Sequence, residues 1–109
     1  MFRKVAAALI FACAALHAAR ADDPVFRIEF EDGKITPLRL EVPANTRFKI
    51  ELINKGRTPI EFESTQLRKE KVVAPDSQSF IVFRTLDPGE YEFFDDFHLD
   101  APHAVLVAK

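Results

Sequence analysis

The chain holds one cysteine, one methionine, three glycines and no tryptophan. A single thiol cannot close an intramolecular disulfide or build a cysteine-based zinc site. Cys13 and Met1 both lie within the first 21 residues, so the rest of the chain has no sulfur donor. Three glycines leave no glycine-rich loop to cradle a phosphate, which argues against nucleotide chemistry. Ser64, Ser77 and Ser79 lack a glycine-rich nucleophile turn, and only His98 and His103 remain as bases outside the leader, so hydrolysis finds no support. No basic stripe is present, and acids exceed cations 17 to 15, which argues against nucleic acid. The longest apolar run, Val5 to Leu16, has 12 residues. A membrane-spanning helix needs roughly 20.

That run belongs to a recognisable leader. Met1-Phe2-Arg3-Lys4 is a basic start, Val5 to Leu16 the apolar stretch, and Ala19-Arg20-Ala21 an A-x-A cleavage pattern. The expectation is a secretory signal peptide over 1–21 and one small exported domain over 22–109, with no transmembrane span in the mature chain. Phe11 just before Ala12-Cys13, and the place of Cys13 inside the apolar run, suit a lipid-anchored start poorly. Loss of Arg3, Lys4 and Arg20 takes the formal charge from −2 to −5.

What remains alternates with a period of two. Phe26, Ile28 and Phe30 are separated by Arg27 and Glu29, and Leu38, Leu40 and Val42 by Arg39 and Glu41. Phe48, Ile50 and Leu52 are separated by Lys49 and Glu51, and Ile60 and Phe62 by Glu61. Phe80–Phe83, Tyr91–Phe94 and Ala104–Val107 are further strand-like runs. Asp32-Gly33, Pro43-Ala44-Asn45, Asn54-Lys55-Gly56, Ala74-Pro75-Asp76 and Asp87-Pro88-Gly89 interrupt them as turns. Alternation of this kind gives strands with one apolar face, and about seven to eight of them pack as two sheets. The fold class is all-β. The polar stretch Ser64–Lys71 reads as a loop or a single turn. With 11 phenylalanines in the chain, aromatic rings supply much of the core, with Phe26, Phe30, Phe48, Phe62, Phe80 and Tyr91 as its expected members.

Three segments carry a family resemblance. Leu40-Glu41-Val42-Pro43-Ala44-Asn45-Thr46 followed by Phe48–Asn54 resembles the entry strands of cupredoxins. Leu86-Asp87-Pro88-Gly89-Glu90-Tyr91-Glu92-Phe93 is similar to their L-x-P-G-x-Y-x-F strand, and Ala104–Ala108 to their last strand. The resemblance implies a cupredoxin-like Greek-key β-sandwich. Copper-binding cupredoxins continue with Cys-x-x-His and a Met, whereas this chain has Asp95-Asp96-Phe97-His98 and no Met; the first copper His is also missing from Pro59-Ile60-Glu61. A type 1 blue-copper centre, which needs a thiolate and two imidazoles, is therefore excluded.

Phe62-Glu63-Ser64, Leu67–Val73 and Phe93–His98 together resemble the cupredoxin-like proteins of bacterial ferrous-iron uptake. These are the EfeO-type cupredoxin domain and the small cupredoxin component of FtrABCD-type transporters. That likeness implies a periplasmic protein handling iron, with copper as a second metal. It would act beside an inner-membrane iron permease and other periplasmic components, oxidising the metal or handing it over. Any enzymatic role is at most that of an accessory in ferrous-iron oxidation. The alternative is a non-catalytic cupredoxin-fold docking module with no metal of its own.

The candidate ligands are carboxylates and imidazoles. Asp95, Asp96 and His98 form the densest cluster; a continuing strand would send Asp95 and Asp96 to opposite faces, and a turn after Phe94 would let Asp95 and His98 converge. Glu61 and Glu63 share one strand face about 7 Å apart. Glu61 reads first as a solvated carboxylate, while Glu63 lies beside the loop. Glu70, inside the charged run Arg68-Lys69-Glu70-Lys71, is a further candidate. His103 reads first as structural, and as a reserve ligand. Oxygen donors with one or two imidazoles suit Fe(II), Fe(III) or Mn(II) better than Cu(I), and Cu(II) remains compatible.

Overall fold

The computed structural model describes residues 22–109. The expected signal peptide, 1–21, lies outside the described residues.

Nine strands, and among the described residues no helix, follow one another: β1 (Val25–Glu31), β2 (Lys34–Thr36), β3 (Arg39–Val42), β4 (Phe48–Asn54), β5 (Ile60–Ser64), β6 (Lys69–Val73), β7 (Ser77–Phe83), β8 (Gly89–Asp95) and β9 (Ala104–Ala108). They form a four-stranded sheet in the order β2-β1-β4-β7 and a five-stranded sheet in the order β3-β9-β8-β5-β6. The pairs β1–β4 and β3–β9 are parallel, and the other pairs are antiparallel. Seven of the nine are the strands expected from the alternating segments and the further strand-like runs. The other two are short β2 and β6, and β6 arises partly from the stretch expected to be a loop. Its sequence, Lys-Glu-Lys-Val-Val, hid it: on an edge strand, charged residues occupy positions that a central strand would make apolar.

The period-2 pattern positions the core. On β4 every second residue from Phe48 to Asn54 is buried, and on β5 Ile60, Phe62 and Ser64 are buried. Phe30, Phe48, Phe62, Phe83 and Phe93 are the largest fully buried side chains. Phe48 stacks on Phe83 with ring centroids 4.9 Å apart, and Phe62 on Phe93 at 5.0 Å, so each sheet brings its own aromatic pair to the interior. Phe26 and Tyr91 pack against this core half-buried.

Phe80 corrects the expected core: it is 54% exposed and lies on the outer face of β7 beneath the Lys49 ammonium. Phe80-Ile81-Val82-Phe83 is apolar at every position, so alternation could not choose a face. The structure turns Ile81 and Phe83 inward.

Two polar devices, one buried and one exposed, hold the loops at one end. Asn54, 1% exposed, donates through Nδ2 to the carbonyls of Thr58, Val73 and Ala74 and accepts from the Gly56 amide through Oδ1. Asp32, at φ +46° in the β1–β2 turn, accepts through Oδ1 from the Arg57 amide at 2.9 Å and the Thr58 hydroxyl at 3.1 Å. These bonds hold the Asp32 carboxyl below its ordinary range, the Arg57 amide contributing most. Gly56 is required at this crossing, because a Cβ there would stand 2.7 Å from both the Asp32 amide nitrogen and Oδ1.

Candidate metal centre

Two groups of polar side chains meet where β5 and β8 pair, on opposite faces of the sheet. Phe62 stands opposite Asp95, Glu63 opposite Phe94, and the Asp96 amide donates to the Glu61 carbonyl, continuing the ladder one step. Alternation across that ladder sends Asp95 inward and Asp96 outward. Asp95 is 2% exposed, whereas Asp96 is half-buried.

The inner group is a chain of hydrogen bonds. Asp95 Oδ1 accepts from the amides of Glu61 and Phe97, each at 3.0 Å. Asp95 Oδ2 lies 2.7 Å from His98 Nδ1, and a backbone bond from His98 N to Asp95 O closes the turn between them. Beyond the ring, His98 Nε2 lies 3.0 Å from the Thr58 hydroxyl, which itself bonds Asp32. The three bonds in series tie the β1–β2, β4–β5 and β8–β9 loops together. Carboxylates only accept and Thr58 has one proton, so the whole series forms at once only when both His98 nitrogens carry protons. A ligating imidazole must instead offer a lone pair. The expected convergence of Asp95 and His98 therefore occurs, and it produces a direct hydrogen-bonded pair.

The outer group is acidic. Glu61 and Glu63 project from β5 on the solvent side, and Glu63 sits directly opposite Glu70 on β6. Donor oxygens of Glu61, Glu63 and Glu70 all lie within 4.8 Å of one another, the only such group of three among the described residues. Partial burial pushes the Glu61 carboxyl up from its ordinary value, helped by a hydrogen bond to Asp96 and by the charges of Glu70, Asp96 and Glu63. Glu63 is pushed up as well, first by desolvation and then by the Asp96 and Glu70 charges. Like charges directly opposed on neighbouring strands repel. A multivalent cation would relieve that repulsion, and an all-oxygen donor set fits hard ions better than Cu(I).

Of the sequence candidates, Glu63 and Glu70 thus come together, with Asp96 against them. Asp95 and His98 pair with each other on the inner face. His103 joins neither group: its ring stacks on Phe94 at 4.7 Å, and its Nδ1 meets Glu92 at 3.1 Å. Glu61 is the member set aside as a solvated carboxylate. The signal for it was present, since a residue two positions from Glu63 on a strand shares its face. Thr58 and Asp32 carried no signal, because only the folded loops bring them to His98.

Beside the inner group, a cavity of about 650 Å³ opens between the β1–β2 turn and the β8–β9 loop. Leu38, Phe97, Leu99 and His98 are among its lining residues, and the first three are exposed.

Comparison with known proteins places the fold. The family model described as a cupredoxin-like domain matches residues 4–108. An uncharacterised protein of Rickettsia prowazekii (strain Madrid E) is 37% identical over 83 residues, which is 76% of this chain; the chain spans 66% of that relative's length. Among solved structures, the purple cupredoxin of Nitrosopumilus maritimus superposes with a TM-score of 0.59 at 15% identity, covering 77% of this chain and 99% of the other. An auracyanin of Roseiflexus castenholzii superposes at 0.65 and 12% identity, covering 82% and 99%. The amicyanin of Paracoccus versutus gives 0.59 and 14%, covering 82% and 83%. At these identities the likeness establishes the fold.

Proposed function

The chain belongs to the cupredoxin-like domain family, and we propose that it is a periplasmic member that binds iron as cargo for a ferrous-iron uptake system. The observation that carries this reading is the convergence of Glu61, Glu63 and Glu70 within 4.8 Å, with Asp96 beside them. The cargo is held on the acidic outer face of β5 and β6. Carboxylates favour Fe(III) over Fe(II) by charge, so the face biases bound ferrous iron toward losing an electron to dioxygen. Handover goes to an inner-membrane permease and its periplasmic components. Copper(II) is the competing metal, since divalent copper outbinds the other first-row ions at most nitrogen and oxygen sites.

The test is an anaerobic titration of the purified protein with Fe(II), Mn(II) and Cu(II), followed by admission of oxygen and measurement of Fe(III) formation. Wild type, Glu63→Gln, Glu70→Gln and His98→Ala are compared. Iron binding near one equivalent, lost in both glutamine variants and kept in His98→Ala, supports the acidic face. Loss in His98→Ala alone moves the site to the Asp95–His98 loop. Oxidation faster than in buffer supports a ferroxidase role.

A second reading has its own observation. Asp95 and His98 satisfy each other, and the exposed Leu38, Phe97 and Leu99 surround the adjoining cavity. A docking module without its own metal would use that apolar rim. Failure of every metal to bind would favour it.

A further inference from the structure

A second cavity lies at the opposite end of the sandwich from His98, between the edge strands β6 and β7 of the two sheets. Its volume is about 470 Å³. Leu67 and Val82 line it half-buried, and Phe83 and Leu86, nearly fully buried, lie beneath it. Its charged lining is wholly cationic: Arg47, Lys69 and Arg84, with no carboxylate. That composition stands out in a chain whose net charge is −2.

The three cations are not equivalent. Arg47 Nε is bonded to Asp23 Oδ2 at 2.8 Å, so its charge is largely answered within the chain. Neither Lys69 nor Arg84 has an ion-pair partner among the described residues. The Lys69 ammonium lies 5.8 Å from the centroid of the Phe83 ring, so a cation is held directly over the apolar floor. Lys69 is opposite Ser64 at the far end of β5; it is the neighbour of Glu70 in the acidic group, but its ammonium turns to the Phe83 side of β6.

We propose that this cavity binds a small amphipathic carboxylate. Its anionic head would pair with Arg84 and Lys69, and its apolar body would lie on Leu67, above the nearly buried Phe83 and Leu86. An apolar floor with a few placed charges, in a volume of several hundred Å³, is the usual composition of a small-molecule site. Arginine supplies a planar, two-pronged donor set matched to a carboxylate. A bare inorganic anion would use the cations and leave Leu67 uncovered. The assignment is independent of the metal reading, because it uses none of the same residues.

Amide-resolved NMR titration of the full protein with benzoate, benzamide and inorganic phosphate tests it. Benzoate is expected to give saturable shifts at Leu67, Lys69 and Phe83–Leu86, while Phe97–Ala101 stay still. Arg84→Gln should weaken benzoate at least fivefold, and Lys69→Gln/Arg84→Gln should abolish saturation. Lys34→Gln, in the other cavity, should leave it unchanged. An unchanged spectrum outside the pocket shows that the variants fold. Equal shifts with benzamide would overturn the role of charge, and phosphate binding as tight as benzoate would overturn the role of the floor. Absence of saturable shifts with benzoate would overturn the proposal outright.

Discussion

Asp95 Oδ2 and His98 Nδ1 stand 2.7 Å apart at the end of β8, and the other Asp95 oxygen is held by two backbone amides. In cupredoxins that bind copper, a thiolate and an imidazole occupy these two positions of the motif. Here the carboxylate and the ring satisfy each other, so the loop is closed by hydrogen bonds made within the chain.

Asp95→Ala should therefore be destabilising whether or not metal is present. It leaves the Glu61 and Phe97 amides and His98 Nδ1 without their acceptor, and losing a buried charged acceptor of this kind costs about 3 kcal/mol. Urea unfolding monitored by circular dichroism measures it. A loss below about 1 kcal/mol would mean that the loop holds without the pair.

Gly56→Ala tests the crossing of the β1–β2 turn and the β4–β5 loop. The added Cβ meets the Asp32 backbone at 2.7 Å, and relieving that contact pulls Asp32 from Arg57 and Thr58. Overpacking of this kind costs typically ~1–3 kcal/mol. The Arg57 amide should also exchange faster with solvent deuterium. A thermal midpoint equal to wild type would show that the turn moves aside freely.

Glu70→Lys replaces a directly opposed like-charge pair with an attractive one across β5 and β6. The melting temperature without metal should rise by a few degrees, and iron binding should fall. A fall in melting temperature would show that Glu63 and Glu70 are already well solvated apart.

The pH dependence has opposite signs at the two groups. Glu61 and Glu63 titrate in the folded protein above their ordinary value of 4.5. In the window from there to their raised values the folded state holds more protons than the unfolded one, so their contribution to stability falls as pH rises. Asp32 titrates below its ordinary 3.8, so its contribution is present above that value and is lost as pH falls through its lowered one. Metal must displace the glutamate protons, so affinity should drop as pH is lowered through the same window. Paired titrations of wild type and Glu63→Gln check this, and an identical pH profile in the variant would remove Glu63 from the site.

The strands were legible because a half-buried strand writes its two faces into alternate residues. Phe48-Lys49-Ile50-Glu51-Leu52 states both its conformation and its buried side. β6 was illegible for the converse reason: an edge strand has little to bury, and Lys69-Glu70-Lys71 reads as a solvated loop. Phe80 was misplaced because four consecutive apolar residues carry no alternation.

At the candidate site the division is similar. Residue identity and local spacing were enough to read the all-β class, the lack of a sulfur donor over residues 22–109, and the supply there of carboxylates and two imidazoles. Which of them meet was decided by tertiary structure. Glu63 faces Glu70 through the register of β5 against β6, and Asp95 turns inward while Asp96 turns outward through the register of β5 against β8. Asp32 reaches Thr58, and Thr58 reaches His98, only because three loops close over one end of the sandwich. Loop closure joins Asp32 to Thr58 and Thr58 to His98, 26 and 40 positions apart, and no local pattern encodes which distant partner a side chain will find.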